Sequence, residues 1–195
     1  MWNEKFNRKD YLYGTQPNDF LKSVSAKLPE KSRILCIGEG EGRNATYLAE
    51  SGHQVTAVDA SEIGLKKAQK LAKNKGVTIQ TEVCDLREYD LKTAHWDAIV
   101  AIFCHLPKEL RKHVHKHLPS SLKTGGLFIM EAYHPDQIEK NTGGPKDVNL
   151  LISATDIENE LDGLKWLHLE ELEREIIEGT GHTGNGIVTQ AIGQK

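Results

Sequence analysis

The most constraining feature of this sequence is its alternation of short apolar strand patterns with amphipathic helical patterns. The strand patterns cover residues 33–37, 54–58, 77–83, 96–103 and 127–133. Because strands that alternate with helices pair through crossover connections, the sequence predicts an α/β fold with a mostly parallel sheet and helices on both faces. The run 98–103 is apolar at successive positions, as expected for a central strand that is covered on both sides.

The C-terminal third departs from this alternation. Segments 164–172 and 186–192 predict an antiparallel hairpin, joined through a stretch rich in glycine and threonine. The charged segment 170–178 fits a helix as well as a strand, and we interpret it as strand. Thr155 and Glu158 have the spacing of a capping box, which predicts a short helix ahead of the hairpin.

The chain of 195 residues has the length of one domain, in which residues 1–20 precede a core of residues 32–195. Its 25 basic and 28 acidic residues give a net charge of −3, which argues against nucleic acid or anionic lipid as the main partner. The apolar runs are all too short for a membrane span. The three cysteines lie in or beside apolar runs, which indicates buried thiols in a reducing compartment, and we expect a cytoplasmic protein.

A glycine loop, Gly38 to Gly42, connects the first predicted strand to the next helix. Glycines there permit a positive φ and let a ligand lie against bare backbone beside a helix N-terminus. Arg43 stands where a dinucleotide fingerprint has its last glycine. Glu39 and Glu41 would repel a pyrophosphate, so the loop favours a ligand without one. Alternatively, Glu41 complements the helix dipole and Glu39 faces solvent.

Two aspartates follow the next two strands at the same edge of the predicted sheet. Asp59 comes 21 residues after Gly38 and can accept both hydroxyls of a ribose, or else cap the helix that begins near Ser61. Asp85 can accept a hydrogen bond from an adenine amino group while Leu86 packs on the ring, or else it is a turn residue. Because ligands of open α/β sheets bind at the carboxyl ends of strands, the three positions together favour a nucleoside ligand.

These residues resemble the class I S-adenosylmethionine-dependent methyltransferases. The glycine loop is similar to their motif I, Asp59 to the acid after the second strand and Asp85 to the adenine-side acid. The chain resembles most a small bacterial branch related to tellurite-resistance methyltransferases. The matching segments are 2–6, 13–14, 17–21, 40–49, 102–107, 131–133, 142–145 and 173–184. The resemblance implies a Rossmann-like sheet of seven strands, mostly parallel with an antiparallel C-terminal strand, and S-adenosyl-L-methionine as the cofactor.

One position departs from the pattern of this family. The family usually has an acidic residue where Cys36 stands, and often a cysteine where Glu39 stands. The acid normally helps to hold the loop and the methionine amine of the cofactor. We expect Glu39 to supply a carboxylate from its shifted position.

The predicted site has a cofactor side and an acceptor side. The predicted cofactor-binding residues are Tyr13, Gly38, Glu39, Gly40, Gly42, Asp59, Ala60, Asp85, Leu86 and Ile102. Phe103, His134 and His182 are expected to line the substrate pocket. His105 is the candidate catalytic base, which is needed only if the acceptor enters protonated. An equal alternative is that His105 anchors its loop by bonding to backbone.

Aromatic residues are frequent in the N-terminal segment 1–20, which we expect to close as a lid over bound cofactor. Tyr11 and Tyr13 would cover the cofactor, or would pin the segment by packing alone. We predict no metal site: among the three closely spaced histidines of the chain, only His113 and His117 share a helix face, and two imidazoles make a poor zinc site.

The sequence therefore predicts an S-adenosylmethionine-dependent methyltransferase that acts on a small-molecule acceptor, with neither nucleic acid nor membrane as a partner. Little of the chain is left for a substrate domain, which disfavours large RNA or protein acceptors. Two alternatives stay open. The first is a non-catalytic S-adenosylmethionine-binding protein, and the second is a nicotinamide-dependent oxidoreductase, against which Arg43 and the paired glutamates argue.

Overall fold

Seven strands form one sheet in the order β3-β2-β1-β4-β5-β7-β6. The computed structural model describes residues 2–195, so Met1 lies outside the described part of the predicted lid. The strands are β1 Arg33–Ile37, β2 Gln54–Asp59, β3 Gln80–Val83, β4 Trp96–Ile102, β5 Leu122–Tyr133, β6 Lys165–Glu178 and β7 His182–Gln194. The helices are α1 Trp2–Phe6, α2 Asp19–Val24, α3 Arg43–Glu50, α4 Glu62–Asn74, α5 Lys108–Ser121 and α6 Ala154–Glu160.

The sheet is parallel except for its C-terminal strand. Strand β1 pairs in parallel with both β2 and β4, whereas β7 runs antiparallel to its neighbours β5 and β6. The strand order therefore reverses between β1 and β4, and this reversal opens a crevice at the carboxyl ends of the strands. The mostly parallel sheet with an antiparallel C-terminal strand confirms the predicted fold.

Both faces of the sheet are covered by helices, as predicted. In β1, Ile34 and Cys36 point into an apolar cluster shared with α2, α3 and α4. The alternate residues, Leu35 and Ile37, point into a second cluster shared with α5 and α6. All four side chains are at most 3% exposed, which is why the strand is apolar at successive positions.

The C-terminal hairpin is longer than the sequence indicated. Strands β6 and β7 pair along their whole length, and the turn between them spans only residues 179–181. The ambiguous segment 170–178 is strand, as we interpreted it. Its charged residues are compatible with strand because β6 is the edge of the sheet and many of its side chains are exposed.

The predicted cap of α6 was wrong. The helix begins at Ala154, because the Ser153 side chain accepts from the Asp156 amide and Asp156 accepts from the Ser153 amide. The sequence holds two capping patterns of identical spacing here, and the earlier one is used. None of the helices within residues 2–195 is long and apolar enough to cross a membrane.

A buried ionic contact fixes α6 to α5. The Arg111 guanidinium donates to both carboxylate oxygens of Glu160 at 2.9–3.3 Å and to the Leu151 carbonyl at 2.9 Å. His115 Nδ1 lies 2.9 Å from Glu160, and all three ionisable side chains are 5–6% exposed. Burial by itself would raise the pKa of Glu160, but the hydrogen bonds from His115 and Arg111 outweigh it and lower the pKa to about 2.

We predict that Arg111→Ala destabilises the protein by about 3–5 kcal/mol, because it leaves a buried carboxylate without its charge partner. Urea denaturation would measure this loss. The matched control is Lys112→Ala, which removes an exposed ion pair to Glu109 on the same helix and should cost about 1 kcal/mol or less. Because the folded pKa of Glu160 is depressed, ionised Glu160 stabilises the folded protein fully above the unfolded pKa of about 4.3. This stabilisation is lost as the pH falls toward the folded pKa. Equal losses in the two variants would contradict the prediction.

Candidate functional site

The glycine loop lies in the crevice at the carboxyl end of β1. Gly38, Gly40 and Gly42 have φ values of +62°, +62° and +89°, which side chains other than glycine rarely adopt. A Cβ on Gly38 would lie 2.5 Å from Cys104 Sγ, and one on Gly40 would lie 3.0 Å from Phe6 Cζ. The loop therefore has to present bare backbone, and it forms a cradle of the kind that a nucleoside cofactor needs.

Glu39 occupies the N-terminus of α3. Its Oε1 accepts hydrogen bonds from the amides of Asn44 and Ala45 at 3.0 and 2.8 Å. In a dinucleotide site such amides hold the pyrophosphate. The loop thus disfavours a pyrophosphate because Glu39 already satisfies these donors. Glu39 is half-buried and bonded within the chain, so it does not extend freely into solvent, and its burial raises its pKa to about 7.

Cys36 and Glu39 are neighbours in space as well as in sequence. Burial raises the pKa of the Cys36 thiol, and the charge and hydrogen bond of Glu39 raise it further. The carboxylate of Glu39 therefore lies beside the position from which an acid at residue 36 would extend. That Glu39 supplies the carboxylate of the family from this shifted position stays a prediction.

Glu41 and Lys67 tie the N-terminal segment to the glycine loop. Glu41 Oε2 accepts from the Leu12 amide at 2.7 Å, and its other oxygen pairs with Lys67. Lys67 Nζ donates in turn to three carbonyls of the segment, those of Phe6, Arg8 and Asp10. Glu41 is 5% exposed, so its charge is engaged by these contacts.

The N-terminal segment lies closed over the loop in this structure. Phe6 is 3% exposed and covers Gly40. The Tyr11 hydroxyl donates to the Lys67 carbonyl at 3.2 Å, and the Tyr13 ring centroid lies 4.4 Å from that of His182. This closed arrangement is compatible with both interpretations of Tyr11 and Tyr13, as residues that cover the cofactor or as residues that only pin the segment by packing. A lid that closes over bound cofactor therefore stays a prediction.

Asp59 ends β2 beside the glycine loop. Its Oδ2 accepts from the Gly40 amide at 2.8 Å and its Oδ1 from the Ser61 amide at 2.7 Å. Ser61 itself caps α4 by accepting from Gly64. Each oxygen of Asp59 keeps a further lone pair for a ribose hydroxyl, and the next residue, Ala60, is exposed.

On the adenine side, Asp85 has the geometry of a turn residue. Its Oδ1 accepts from the Arg87 amide at 2.9 Å and its Oδ2 from the Arg87 guanidinium at 2.8 Å. The Asp85 side chain is still 44% exposed and open to a ligand. Leu86 and Ile102 are each 8% exposed, Leu86 after β3 and Ile102 at the end of β4.

Five rings gather beyond the carboxyl ends of β4 and β5, and we call them the aromatic cluster. Its members are Tyr13, Phe103, His105, Tyr133 and His182. Phe103 has a φ of +50°, which is uncommon for a bulky residue and typical of functional sites. The structure thus brings the predicted pocket residues Phe103 and His182 together, with ring centroids 4.6 Å apart.

The other two predicted histidines have different surroundings. His134 lies apart from the cluster contacts, because its Nδ1 accepts from the Asp136 amide and its Nε2 lies 3.4 Å from Glu171. His105 Nε2 accepts from the Tyr133 amide at 3.4 Å. Burial and the neighbouring His182 lower the pKa of His105 to about 3. This geometry favours the anchoring role of His105, and its role as a base stays a prediction.

Sequence reasoning missed the hydrogen bonds and ion pairs that join a set of buried and half-buried polar side chains, which we call the charge network, although it had predicted one member, His182, as a pocket residue. Its members are Asn18, Arg43, Glu131, Arg174, Glu178, His182 and Gln190. Glu178 pairs with Arg43 at 2.7 Å, and Glu131 pairs with Arg174 at 2.7 Å. All members except Gln190 fall within the segments that carried the family resemblance, and that signal could have found them.

We predict that ionisation of Glu39 opposes folding. Its folded pKa of about 7 lies above the unfolded value of about 4.3. The contribution of protonated Glu39 to the stability of the folded protein is therefore complete below the unfolded pKa and is lost as the pH rises through the folded pKa. Glu39→Gln keeps an acceptor for the two amides but cannot ionise. Urea denaturation should show the stability of the wild type relative to Glu39→Gln falling as the pH rises from about 4.3 to about 7.

The matched control for this comparison is Glu50→Gln, a change at the exposed end of the same helix α3. Its difference from the wild type should stay nearly constant over that range. A relative stability of Glu39→Gln that is independent of pH, or that changes in the opposite direction, would contradict the account of Glu39.

Comparisons with known proteins place methyltransferases among the relatives of this chain. Residues 34–126 match a family described as a methyltransferase domain. The chain is 30% identical over 143 residues to the tRNA 5-carboxymethoxyuridine methyltransferase of Escherichia coli strain K12, and the match covers 67% of this chain and 54% of that protein. It is 26% identical over 110 residues to TehB of Haemophilus influenzae strain KW20, a probable S-adenosyl-L-methionine-dependent methyltransferase, covering 55% of this chain and 38% of that protein.

The fold comparison covers more of the chain. The crystal structure of TehB from Haemophilus influenzae aligns over 100% of this chain and 65% of that one, with a TM-score of 0.74 and 18% identity. In sequence, the chain spans only about half the length of the first curated relatives that it matches, 54% in the Escherichia coli case. The matched residues contain the glycine loop, and the fold is shared along the whole chain. The protein belongs to the class I S-adenosylmethionine-dependent methyltransferases and is related to TehB.

Proposed function

We propose that this chain transfers the methyl group of S-adenosyl-L-methionine to a small-molecule acceptor. The observation that carries the cofactor side is the glycine cradle whose helix amides are satisfied by Glu39. A dinucleotide would need those amides for its pyrophosphate, whereas S-adenosyl-L-methionine has none. The family to which the chain belongs supports the same cofactor.

The residues present fit this cofactor. The backbone of Gly38 and Gly40 would lie against it, and Asp59 would accept the ribose hydroxyls with its remaining lone pairs. Asp85 and Leu86 would face the adenine. The cofactor supplies a methyl group on a positively charged sulfur, which is already activated for transfer. The protein therefore has to orient the acceptor and exclude water.

The aromatic cluster supports an acceptor site next to the cofactor side. Phe103 follows β4, the strand next to β1, and Tyr133 ends the adjacent strand β5. The turn of the β6–β7 hairpin places His182 against both rings. The closed N-terminal segment adds Tyr13 from the other side. Such an enclosure excludes water from a small reacting molecule, which favours substitution at the methyl group.

A small acceptor is supported by charge as well. The chain has a net charge of −3, and Glu170, Glu173 and Glu175 are exposed on the hairpin that carries His182. A phosphate backbone would be repelled by these carboxylates. One relative acts on tRNA by its name, so tRNA belongs in the test as an acceptor that the proposal excludes.

For the cofactor, we predict that calorimetry shows binding of S-adenosylmethionine and S-adenosylhomocysteine and no comparable binding of NAD. Asp59→Ala should weaken cofactor binding by about 1–3 kcal/mol, because charged hydrogen bonds to the ribose are lost. The matched control is Asp97→Ala near the amino ends of the strands, where Asp97 accepts from the Arg33 amide and from Lys123. Unchanged affinity in Asp59→Ala would place the ribose elsewhere.

For the acceptor, release of S-adenosylhomocysteine should be measured with thiol, oxyanion, amine and halide acceptors and with tRNA. We expect turnover with at least one small acceptor and none with tRNA. Cofactor binding without turnover on any acceptor would support the non-catalytic alternative, and methylation of tRNA alone would overturn the small-molecule proposal.

A further inference from the structure

The turn of the β6–β7 hairpin pairs a carboxylate with a histidine. Glu178 is the last residue of β6 and His182 is the first of β7, and His182 Nδ1 lies 3.2 Å from Glu178 Oε2. Both side chains are 5–6% exposed. The turn is fixed from outside, because the amides of Thr180 and Gly181 both donate to the Leu12 carbonyl. The pair is therefore rigid and largely shielded from water.

The charge network holds Glu178 in its ionised form. Arg43 Nη2 donates to Glu178 at 2.7 Å and Asn18 Nδ2 donates to it at 2.9 Å. Burial would raise the pKa of Glu178, but His182 and Arg43 outweigh it and lower the pKa to about 2. An ionised carboxylate accepts the Nδ1 proton of a neutral imidazole, which leaves Nε2 as the unprotonated nitrogen.

The second ring nitrogen of His182, Nε2, is available to accept a proton. Within residues 2–195 the structure gives it no hydrogen-bond partner, whereas His105 Nε2 already accepts from the Tyr133 amide. The His182 ring lies against Phe103 at the end of β4 and against Tyr13, whose ring is 6.5 Å from the Phe6 ring that covers Gly40. The free nitrogen thus belongs to the acceptor side of the site.

We propose that His182 is the catalytic base for an acceptor that enters with a proton, and that Glu178 is its positioning residue; this proposal rests on the methyl transfer proposed above. The acceptor class is a thiol, hydroxyl or amine. Its proton moves to His182 Nε2 and gives an imidazolium paired with Glu178. The acceptor atom forms a bond to the methyl carbon while the carbon–sulfur bond breaks, and the electron pair of that bond stays on sulfur.

Several charged and titratable groups face His182 and set its proton affinity. They are Tyr13 from the N-terminal segment, Arg43 from α3, His105 after β4, Glu131 and Tyr133 from β5, and Glu178 from β6. Burial lowers the pKa of His182 below its ordinary value, although Glu178 acts to raise it. The base form should therefore dominate at neutral pH, and turnover on a protonated acceptor should fall in acid.

The first test reads the tautomer of His182 by nitrogen NMR of isotope-labelled protein without an acceptor. Its signals are assigned by their loss in His182→Phe. We expect a protonated Nδ1 and an unprotonated Nε2 at neutral pH. A proton on Nε2, or an imidazolium that persists at neutral pH, would overturn the proposal, because neither form can take a proton from an acceptor.

The second test compares 2-mercaptoethanol, whose thiol is mostly protonated at neutral pH, with iodide, which has no proton to lose. His182→Phe keeps an aromatic ring and should lower kcat on the thiol by about 10²–10⁴-fold, with a much smaller effect on iodide. Glu178→Gln should lower kcat on the thiol and move the acidic limb of its pH profile to lower pH. His113→Phe on the exposed face of α5 is the matched control and should match the wild type.

These outcomes separate the two proposals. Equal losses of His182→Phe on both probes would show a packing role and overturn the proposal for His182. Failure of the wild type on both probes, with cofactor bound, would count against the proposed methyl transfer to such acceptors, and the NMR tautomer would then decide by itself whether the histidine is poised as a base.

Discussion

The ion pair between Arg43 and Glu178 is the interaction on which the site depends. It joins residues 135 positions apart in the chain, at a distance of 2.7 Å and with both side chains at most 8% exposed. Removing either partner would leave an uncompensated buried charge, which costs several kcal/mol. Because Arg43 begins α3 directly after the glycine loop and Glu178 ends β6, the pair fixes the hairpin turn relative to the cofactor cradle.

Carboxylates in this protein organise the glycine loop through hydrogen bonds and ion pairs within the chain. Glu39 satisfies the amides of α3, and Glu41 holds Leu12 and Lys67. Asp59 accepts from the Gly40 amide and so braces the loop that it would share with a ribose. Each of these contacts engages a donor or a cation that could otherwise attract a phosphate, which supports the proposal that the cofactor carries no pyrophosphate.

The sequence alone predicted correctly those helices and strands that are determined by local residue patterns. Apolar runs located the parallel strands, Ser61 was correctly expected at the start of α4, and segment 170–178 was correctly interpreted as strand. Two capping patterns of equal spacing could not be ranked, because the choice between Ser153 and Thr155 depends on how α6 packs. Pattern and spacing decide local structure, and packing decides between equal patterns.

The partners of the charged side chains lay beyond sequence reasoning. Glu39 and Glu41 were considered only in relation to a ligand, a helix dipole or solvent, and the structure gives each of them partners within the chain. The charge network joins Asn18, Glu131 and Glu178 across more than 100 residues, with separations of 113 and 160 between the bonded pairs. Periodicity carries no information about contacts of that range, and only the matching segments of the family hinted at them.

The central claim is that the glycine loop, the N-terminal segment and the hairpin turn form one cofactor-dependent unit. Amide hydrogen exchange with and without saturating S-adenosylhomocysteine tests it most directly. The account predicts that exchange slows together in residues 3–16 and 179–183, beyond any uniform stabilisation of the strands, because the ligand adds contacts only to the closed arrangement. Protection confined to the glycine loop, with both of the other segments unchanged, would contradict the account.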